Sequence, residues 1–164
     1  MRVRCLLPTV ALALLTIPSP ALSQASSADE EEVLAVVERL FDGMRAADSS
    51  MVRSALHSDA RLVSVDGGEG GPGLRSEPMD GFVAAVGTPH DEVWDERIWG
   101  PEVRIDGRLA TVWVSYAFYL GEELSHCGVD AFQLFDGSEG WKIFQIADTR
   151  RREGCEIPAE VLGG

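Results

Sequence analysis

The sequence predicts an α+β fold, in which helices from the N-terminal half cover one face of a cone-shaped, curved antiparallel sheet. One observation behind this prediction is a meander at 109–149, where three segments rich in Val, Ile, Phe, Tyr and Trp are separated by Gly-bearing turns. A second observation is a helical apolar stripe nearer the N-terminus, which needs a large apolar partner and finds it in the sheet. We therefore expect about five to six strands and about three helices. The stripe consists of Val33, Val37, Leu40, Phe41 and Met44, widened by Val36.

Residues 1–23 are predicted to be a signal peptide. Two arginines form a positive n-region, and the apolar stretch at 6–17 is shorter than the roughly 20 residues that span a bilayer. Small residues then place cleavage after Ser23, with Ala25 as the alternative. A buried N-terminal helix of the fold is the competing interpretation. The prediction is an exported bacterial protein, periplasmic or secreted, with no membrane attachment after cleavage.

The rest of the chain suits one domain with a single core. We divide it into a flexible lead-in at 24–28, a domain at 29–155 and a C-terminal tail at 156–164. The net charge of −13 repels phosphates and anionic lipids, so neither nucleic acid nor a membrane is expected as a partner. The sequence has no HExxH or CxxC motif, and we therefore expect no metal and no cofactor.

Cys127 and Cys155 are predicted to form a disulfide. They are the two cysteines that remain after signal cleavage, and an even number of thiols in an oxidising compartment favours a bridge. If the second hairpin of the meander is centred on its DGSEG turn, Cys127 lies opposite Thr149, and Cys155 follows six residues later. The bridge would tie the tail to the middle strand of the meander.

The elements before the meander follow from capping, periodicity and turn residues. The first helix covers 29–45, with Ser27 or Asp29 as N-cap and acidic residues in its first turn, where the helix dipole favours them. The glycine-rich stretch 66–73 lacks the Lys-Ser/Thr ending of a phosphate-binding loop and is predicted to be a plain loop. The other predictions are a short helix at 51–56, a strand at 60–65, a helix at 76–86 capped by Ser76, strands at 93–99 and 102–105, and a turn at Asp106-Gly107.

Four segments carry a resemblance to a known family. They are LFDGMRAADSSMVRSALHSDARLVSV (40–65), DGRLATVWVSYAFYL (106–120), HCGVDAFQLF (126–135) and GWKIFQIADTRR (140–151). With the order of elements, they resemble the NTF2-like superfamily, most closely its small bacterial nuclear transport factor 2 branch, also labelled SnoaL-like or lumazine-binding. The resemblance implies a cone that encloses a small-molecule pocket. It leaves the activity open, because the superfamily contains isomerases, cyclases, hydrolases, dehydratases and plain binding or dimerisation modules.

Strand pairing of the meander predicts which side chains share a face. A hairpin that turns at Gly121-Glu122 pairs Trp113 with Asp130, and the second hairpin pairs Asp130 with Ile146. A slip of one residue would exchange the two faces of a strand. One face then carries Trp113, Ser115, His126, Asp130, Phe132 and Asp148, and the other carries Val112, Val114, Tyr116, Phe118, Val129 and Ile143.

These side chains give two interpretations of the site. In the first, His126 forms an acid–base pair with Asp130 or Asp148, the three weak catalytic candidates, and moves a proton next to a carbonyl as isomerases of the family do. In the second, the polar face is merely hydrated or lies in a dimer interface. Tyr116 either donates to a ligand or bonds to the backbone. The ligand-binding candidates are Trp94, Trp113, Tyr116, His126 and Asp130, although the tryptophans also suit the core or an interface.

Three functional hypotheses result. The first is an exported cone that binds a small apolar or aromatic molecule. The second is a SnoaL-like or ketosteroid-isomerase-like enzyme, and the third is a dimerisation module whose sheet face pairs with itself or with another exported protein. A homodimer that forms through the sheet is a separate expectation. The side chains that point into the cone distinguish the three hypotheses.

Overall fold

The computed structural model of the chain describes residues 26–66 and 73–162, so the predicted signal peptide lies outside the described residues. The described chain contains four helices and six strands. The helices are α1 (Ser27–Arg45), α2 (Ser49–Ala55), α3 (Asp80–Val86) and α4 (Ala159–Leu162). The strands are β1 (Leu56–Asp66), β2 (Gly73–Pro78), β3 (Trp94–Asp106), β4 (Leu109–Leu120), β5 (Glu123–Gly137) and β6 (Gly140–Thr149).

The six strands form one curved sheet in the order β2-β1-β6-β5-β4-β3. All neighbours are antiparallel except β1 and β6, which run parallel. Helix α1 contacts β3 and β6 on one face of this sheet, and every residue of its predicted apolar stripe is buried. The predicted α+β fold with helices on one face is confirmed. No helix among the described residues is long and apolar enough to cross a membrane.

Side-chain caps fix the starts of the first two helices. The Ser26 hydroxyl accepts from the Asp29 amide, and the Asp29 carboxylate accepts from the Ser26 amide, which makes a capping box. The Asp48 carboxylate accepts from the amides of Ser50 and Met51 at the start of α2. The sequence predicted the first residue of each of these helices to within two residues.

The prediction for 76–86 was wrong in its first half. Residues 73–78 form the edge strand β2, paired with β1, and helix α3 begins at Asp80 without a side-chain cap. The reason lies in Pro78, because a proline disfavours helical backbone in the residue before it. The predicted strands at 93–99 and 102–105 are one strand, β3, whose pairing is irregular around Gly100. The predicted tail also contains a short helix, α4.

The register of the first hairpin was also predicted wrongly. Next to the turn, Tyr119 pairs with Leu124 as predicted, but an extra residue at Ser125 shifts the pairing from there onward. Asp130 therefore lies opposite Val114 rather than Trp113. Beyond such a bulge, each side chain of one strand shares a sheet face with the other alternate set of side chains on the partner strand. The face under the helices, here called the concave face, holds Val112, Val114, Tyr116 and Phe118 together with His126, Asp130 and Phe132, whereas Trp113 and Ser115 lie on the outer face.

At Asp130 the second hairpin is shifted by two residues, which leaves the face unchanged, whereas near the turn the shift is one residue and Ile143 lies on the concave face, contrary to the prediction. Asp130 pairs with Asp148 instead of Ile146. The position of the turn, between Gly137 and Gly140, accounts for one residue of this shift. An irregularity near Phe144 accounts for the second residue. His126, Asp130 and Asp148 therefore share a face, as the sequence predicts.

The predicted disulfide is confirmed. Cys127 and Cys155 are joined at an S–S distance of 2.05 Å, and the backbone of Cys127 pairs with Arg151 rather than with Thr149. Beyond the bridge, Ile157 packs on the outer face against a cluster that includes Tyr119. The guanidinium of Arg97 donates to the carbonyl of Val161 at 3.1 Å and so fixes α4 at the edge strand. The tail thus follows the outer face and ends beside β3.

Candidate functional site

A small cavity of about 50 Å³ lies between the concave face and helices α1 and α3. One side of it is apolar, and the other is polar and charged. This division puts ionisable groups beside a low-dielectric wall, where their chemistry departs most from that in water. The apolar lining consists of Leu40, Phe41, Met44, Leu62, Phe82, Phe132 and Ile146, and the polar lining of Glu96, Tyr116, His126, Asp130, Asp148 and Arg150.

Glu96 and Asp130 form the centre of the polar side. Their side chains hydrogen-bond to each other, and they are called the carboxyl pair below. Asp130 is 3 % exposed, so neither water nor counterions stabilise its charge effectively. Two carboxyl groups at hydrogen-bond distance hold at least one proton between them, because two adjacent negative charges repel.

Burial sets the protonation of the carboxyl pair. Burial, helped by the charge of Asp148, raises the pKa of Glu96 to about 7, although the hydrogen bond with Asp130 and the charge of Arg150 act to lower it. Burial also raises the pKa of Asp130 well above its usual range, with the neighbouring Glu96 as the next cause. The carboxyl pair therefore retains a proton at neutral pH and can donate or accept one there.

Asp148 and Arg150 form an ion pair beside the carboxyl pair. The Nε of Arg150 donates to Oδ2 of Asp148 at 2.5 Å. Asp148 is buried, whereas the Arg150 side chain is 42 % exposed and reaches towards solvent. The guanidinium offsets the charge that three neighbouring carboxyl groups would otherwise accumulate in the cavity.

Tyr116 is held by a glycine on the next strand. The ring of Tyr116 lies over Gly128, its strand partner, and its hydroxyl donates to the carbonyl of Thr149 at 2.9 Å. A Cβ on Gly128 would stand 1.8 Å from that carbonyl oxygen and 2.7 Å from the Tyr116 ring. Burial, followed by the charge of Asp130, raises the pKa of Tyr116. Its hydroxyl stays protonated and donates a hydrogen bond to the backbone. Of the two roles predicted for Tyr116, this is the structural one.

His126 contacts aromatic rings rather than carboxylates. Its ring centroid lies 5.1 Å from that of Phe118 and 5.7 Å from that of Tyr116, and its Nδ1 lies 3.1 Å from the Ser125 hydroxyl. Burial and the positive charge of Arg150 lower the pKa of His126. The imidazole is therefore neutral at neutral pH.

The structure brings together four of the predicted site residues and separates two. Tyr116, His126, Asp130 and Asp148 line the cavity. Trp113 lies on the outer face and is 54 % exposed, because the bulge at Ser125 turned it away. Trp94 packs beside Phe118 and stacks on the His90 ring at 4.7 Å, outside the lining of the cavity. The predicted pairing of His126 with a carboxylate is replaced by a pairing of two carboxyl groups.

Sequence reasoning missed Glu96 and Arg150. Glu96 alternates with Trp94 and Ile98 along β3, both of which pack against the core, and this period of two was a signal that Glu96 also points inward. A second missed signal is Gly128, since a glycine inside a strand often marks a close approach of another group. Arg150 follows the last strand and carries no comparable signal.

Among the described residues, no group of three or more His, Cys, Asp or Glu side chains is arranged to hold a metal ion. The cavity instead offers proton donors and acceptors: the carboxyl pair, the ion-paired Asp148 and a neutral His126. This set can bind the polar end of a small molecule by hydrogen bonds, and it can move a proton.

Comparison with known proteins identifies the family. Residues 28–146 match the family described as "Putative lumazine-binding", which is most of the chain. The chain belongs to this family, within the NTF2-like superfamily. No functionally curated protein matches the sequence of this NTF2-like protein.

Solved structures of the same fold come from several bacteria. An NTF2-like protein of unknown function from Shewanella baltica is 17 % identical with a TM-score of 0.62, and the match covers 79 % of this chain and 99 % of that one. An NTF2-like protein with a cystatin-like fold from Novosphingobium aromaticivorans is 12 % identical with a TM-score of 0.63, and the match covers 83 % and 88 %. An NTF2-like protein of unknown function from Silicibacter pomeroyi is 18 % identical with a TM-score of 0.57, covering 77 % and 100 %. These similarities establish the fold alone.

Proposed function

We propose that this NTF2-like protein binds a small apolar or aromatic molecule in the cone, with a carbonyl or similar acceptor of the ligand directed at the carboxyl pair. The observation that carries this proposal is the position of Glu96 and Asp130 on the polar side of a cavity whose other side is apolar. A carboxyl group kept protonated by an apolar site is an effective hydrogen-bond donor to a ligand oxygen. The description of the family as lumazine-binding also supports a ligand of this kind.

The available space limits how such a ligand lies. A cavity of about 50 Å³ has room for water-sized groups, whereas small-molecule sites measure roughly 300–1,000 Å³. A cleft of about 390 Å³ between α1, β3 and α4 shares Glu96 and Phe41 with the cavity. On this proposal the ligand places its polar end in the cavity and its body in the cleft, past the Phe41 ring that lines both.

Titration with 1-indanone, a bicyclic aromatic ketone, tests the proposal. We expect saturable NMR shifts at Phe41, Met44 and Phe132, because these side chains line the cavity. Asp130→Leu removes the donor while filling a similar volume, and we expect it to weaken binding about tenfold, the value of a hydrogen bond to a charged or strongly polarised group. Glu123→Leu, at an exposed position of the same strand, is the matched control. Shifts spread over the surface, or none at all, would refute binding in the cone.

A second candidate function is proton transfer. The specific observation in its favour is the carboxyl pair in the wall of the cavity, where burial raises the pKa of Glu96 to about 7 and so suits it to take up and release a proton at neutral pH. In this reaction the Glu96 carboxylate takes a proton from the carbon next to a ligand carbonyl, and the enolate oxygen receives a hydrogen bond from the protonated Asp130. Return of the proton to a different carbon would give an isomerase.

Deuterium exchange distinguishes an enzyme from a binding protein. In D₂O, an enzyme would replace the hydrogens at C2 of 1-indanone faster than buffer does, and Glu96→Gln would abolish the excess rate. Glu102→Gln, at an exposed position of the same strand, is the control. If 1-indanone binds but its exchange is not catalysed, the enzymatic function is refuted and only the binding function stands.

We also propose that the protein acts after export. The disulfide between Cys127 and Cys155 supports this, because such bridges persist in oxidising compartments. Expression of the full chain in a bacterium, followed by N-terminal sequencing of the periplasmic fraction and the medium, is the test. A new N-terminus at Gln24 or Ser26 is expected, and a chain that keeps residues 1–23 in the cytoplasm would contradict export.

A further inference from the structure

Asp148 carries a buried oxygen that the protein does not satisfy. The residue is 5 % exposed, and its Oδ2 accepts from Arg150. Its Oδ1 receives no hydrogen bond from any residue that the structure describes, although Asp148 lines the cavity. Buried polar atoms in folded proteins are nearly always hydrogen-bonded, so this oxygen calls for a donor that enters the cavity.

Three of the neighbouring polar groups of the cavity lie against other partners. The hydroxyl of Tyr116 donates to the carbonyl of Thr149, and Asp130 is hydrogen-bonded to Glu96. The Nδ1 of His126 lies against the Ser125 hydroxyl. A donor that enters the cavity, a water in the free protein or a group of the ligand in the complex, satisfies Oδ1 without breaking any of these three bonds.

The charge of the site indicates what kind of donor fits. Arg150 already neutralises Asp148 through an ion pair, so a cationic ligand would meet a guanidinium beside its binding partner. A neutral N–H group avoids this repulsion and still gains a hydrogen bond to a carboxylate, which is stronger than one to a neutral acceptor.

We propose that the ligand carries an N–H group next to its carbonyl, as a cyclic amide does, with the N–H donating to Oδ1 of Asp148 and the carbonyl facing Asp130 and Glu96. The inference rests on the function proposed above and names its ligand class. Asp130 and Asp148 are direct partners on β5 and β6, so their side chains stand side by side on the concave face. Two adjacent atoms of one ring can therefore reach both residues.

A matched set of probes tests this ligand class on the intact protein. Isoindolin-1-one differs from 1-indanone only in an N–H where the ketone has a CH₂, and N-methylisoindolin-1-one keeps the amide but lacks the donor. We expect isoindolin-1-one to bind about tenfold more tightly than either comparison compound, because it alone donates to a buried carboxylate. Asp148→Asn halves the acceptor capacity and removes the charge, and it should reduce the preference to less than about threefold.

The outcomes separate the two proposals. If all three probes bind in the cavity with equal affinity, the ligand class is wrong and the binding function stands. If none of them shifts the resonances of the cavity, the binding function itself is wrong. The comparison of probes on the unsubstituted protein needs no variant, so a folding defect of Asp148→Asn leaves the test valid.

Discussion

Glu96 and Asp130 hydrogen-bond to each other across β4, the strand that separates β3 from β5 in the sheet. The contact depends on the curvature of the sheet, which brings side chains of non-neighbouring strands towards one centre. Burial of two acids is costly unless they share a proton. The carboxyl pair is therefore a feature that selection for stability alone would not favour, and this is the physical reason to place the function there.

The stability of the protein should fall as pH rises through the titration of Glu96. The ordinary pKa of this carboxyl is 4.5, and in the folded protein it is about 7, so the folded state binds more protons in that window. The stabilisation is fully present below pH 4.5 and is lost as pH rises through 7. The free energy of unfolding should decrease by about 3 kcal/mol between pH 4.5 and 8 from this group.

Urea unfolding at half-unit steps of pH measures this change. Glu96→Gln should flatten the profile by that amount, and Glu102→Gln should leave it as in the unsubstituted protein, because Glu102 is exposed on the same strand. A profile that Glu96→Gln leaves unchanged would show that Glu96 ionises normally in the folded protein.

Gly128→Ala should be among the most destabilising substitutions in the chain. The new Cβ would overlap the carbonyl of Thr149, a backbone atom that cannot turn aside. We expect a loss of roughly 3 kcal/mol or more in the free energy of unfolding. Gly81→Ala is the control, because nothing lies within 4 Å of its added Cβ on α3, and it should be neutral or slightly stabilising. Equal stabilities of the two variants by thermal unfolding would contradict the close contact at Gly128.

Reduction of the Cys127–Cys155 bridge should destabilise the fold. The two cysteines are 28 residues apart, and closing a loop of this size contributes about 3–4 kcal/mol in the chain-entropy description. Dithiothreitol and the double substitution Cys127→Ala with Cys155→Ala should lower the unfolding midpoint in urea by similar amounts. Two free thiols in the mature protein, detected by mass spectrometry without reductant, would rule out the bridge.

A homodimer is expected through the outer face of the sheet. Trp113 is exposed there, with Leu109 and Phe135 on the same face, and exposed apolar side chains of this kind mark interaction surfaces. Light scattering at micromolar concentration should give twice the monomer mass, and Trp113→Arg should give the monomer. Leu74→Arg, on the edge strand β2, is the control that should remain a dimer. A monomeric unsubstituted protein would count against this interface.

The sequence predicted the fold much better than the site. Apolar periodicity located α1 and the meander because each follows one regular period over many residues. The site depended on the register, and a single extra residue at Ser125 reversed one face of β4 relative to β5. Bulges of this kind arise from packing of the whole sheet, and no short sequence pattern predicts them.

Long-range partners explain the remaining differences. Glu96 meets Asp130 only after β3, β4 and β5 have paired, so the carboxyl pair has no local signature. The disulfide could be predicted because cysteines are few and pair only with each other. The two-residue shift of the second hairpin left Asp130 and Asp148 on one face, so these candidates were placed correctly although their partners were not.

The parallel pairing of β1 with β6 determines when this protein can finish folding. Leu56 pairs with Ile143, so the first strand of the sheet meets its partner β6 only after the five strands from β2 to β6 have been made, although β2 can pair with it earlier. The hairpins of β3, β4 and β5 can form earlier, because their partners are neighbours in sequence. Until then the edge of β1 that faces β6 remains open to pairing with other chains, a hazard that a holding chaperone would reduce.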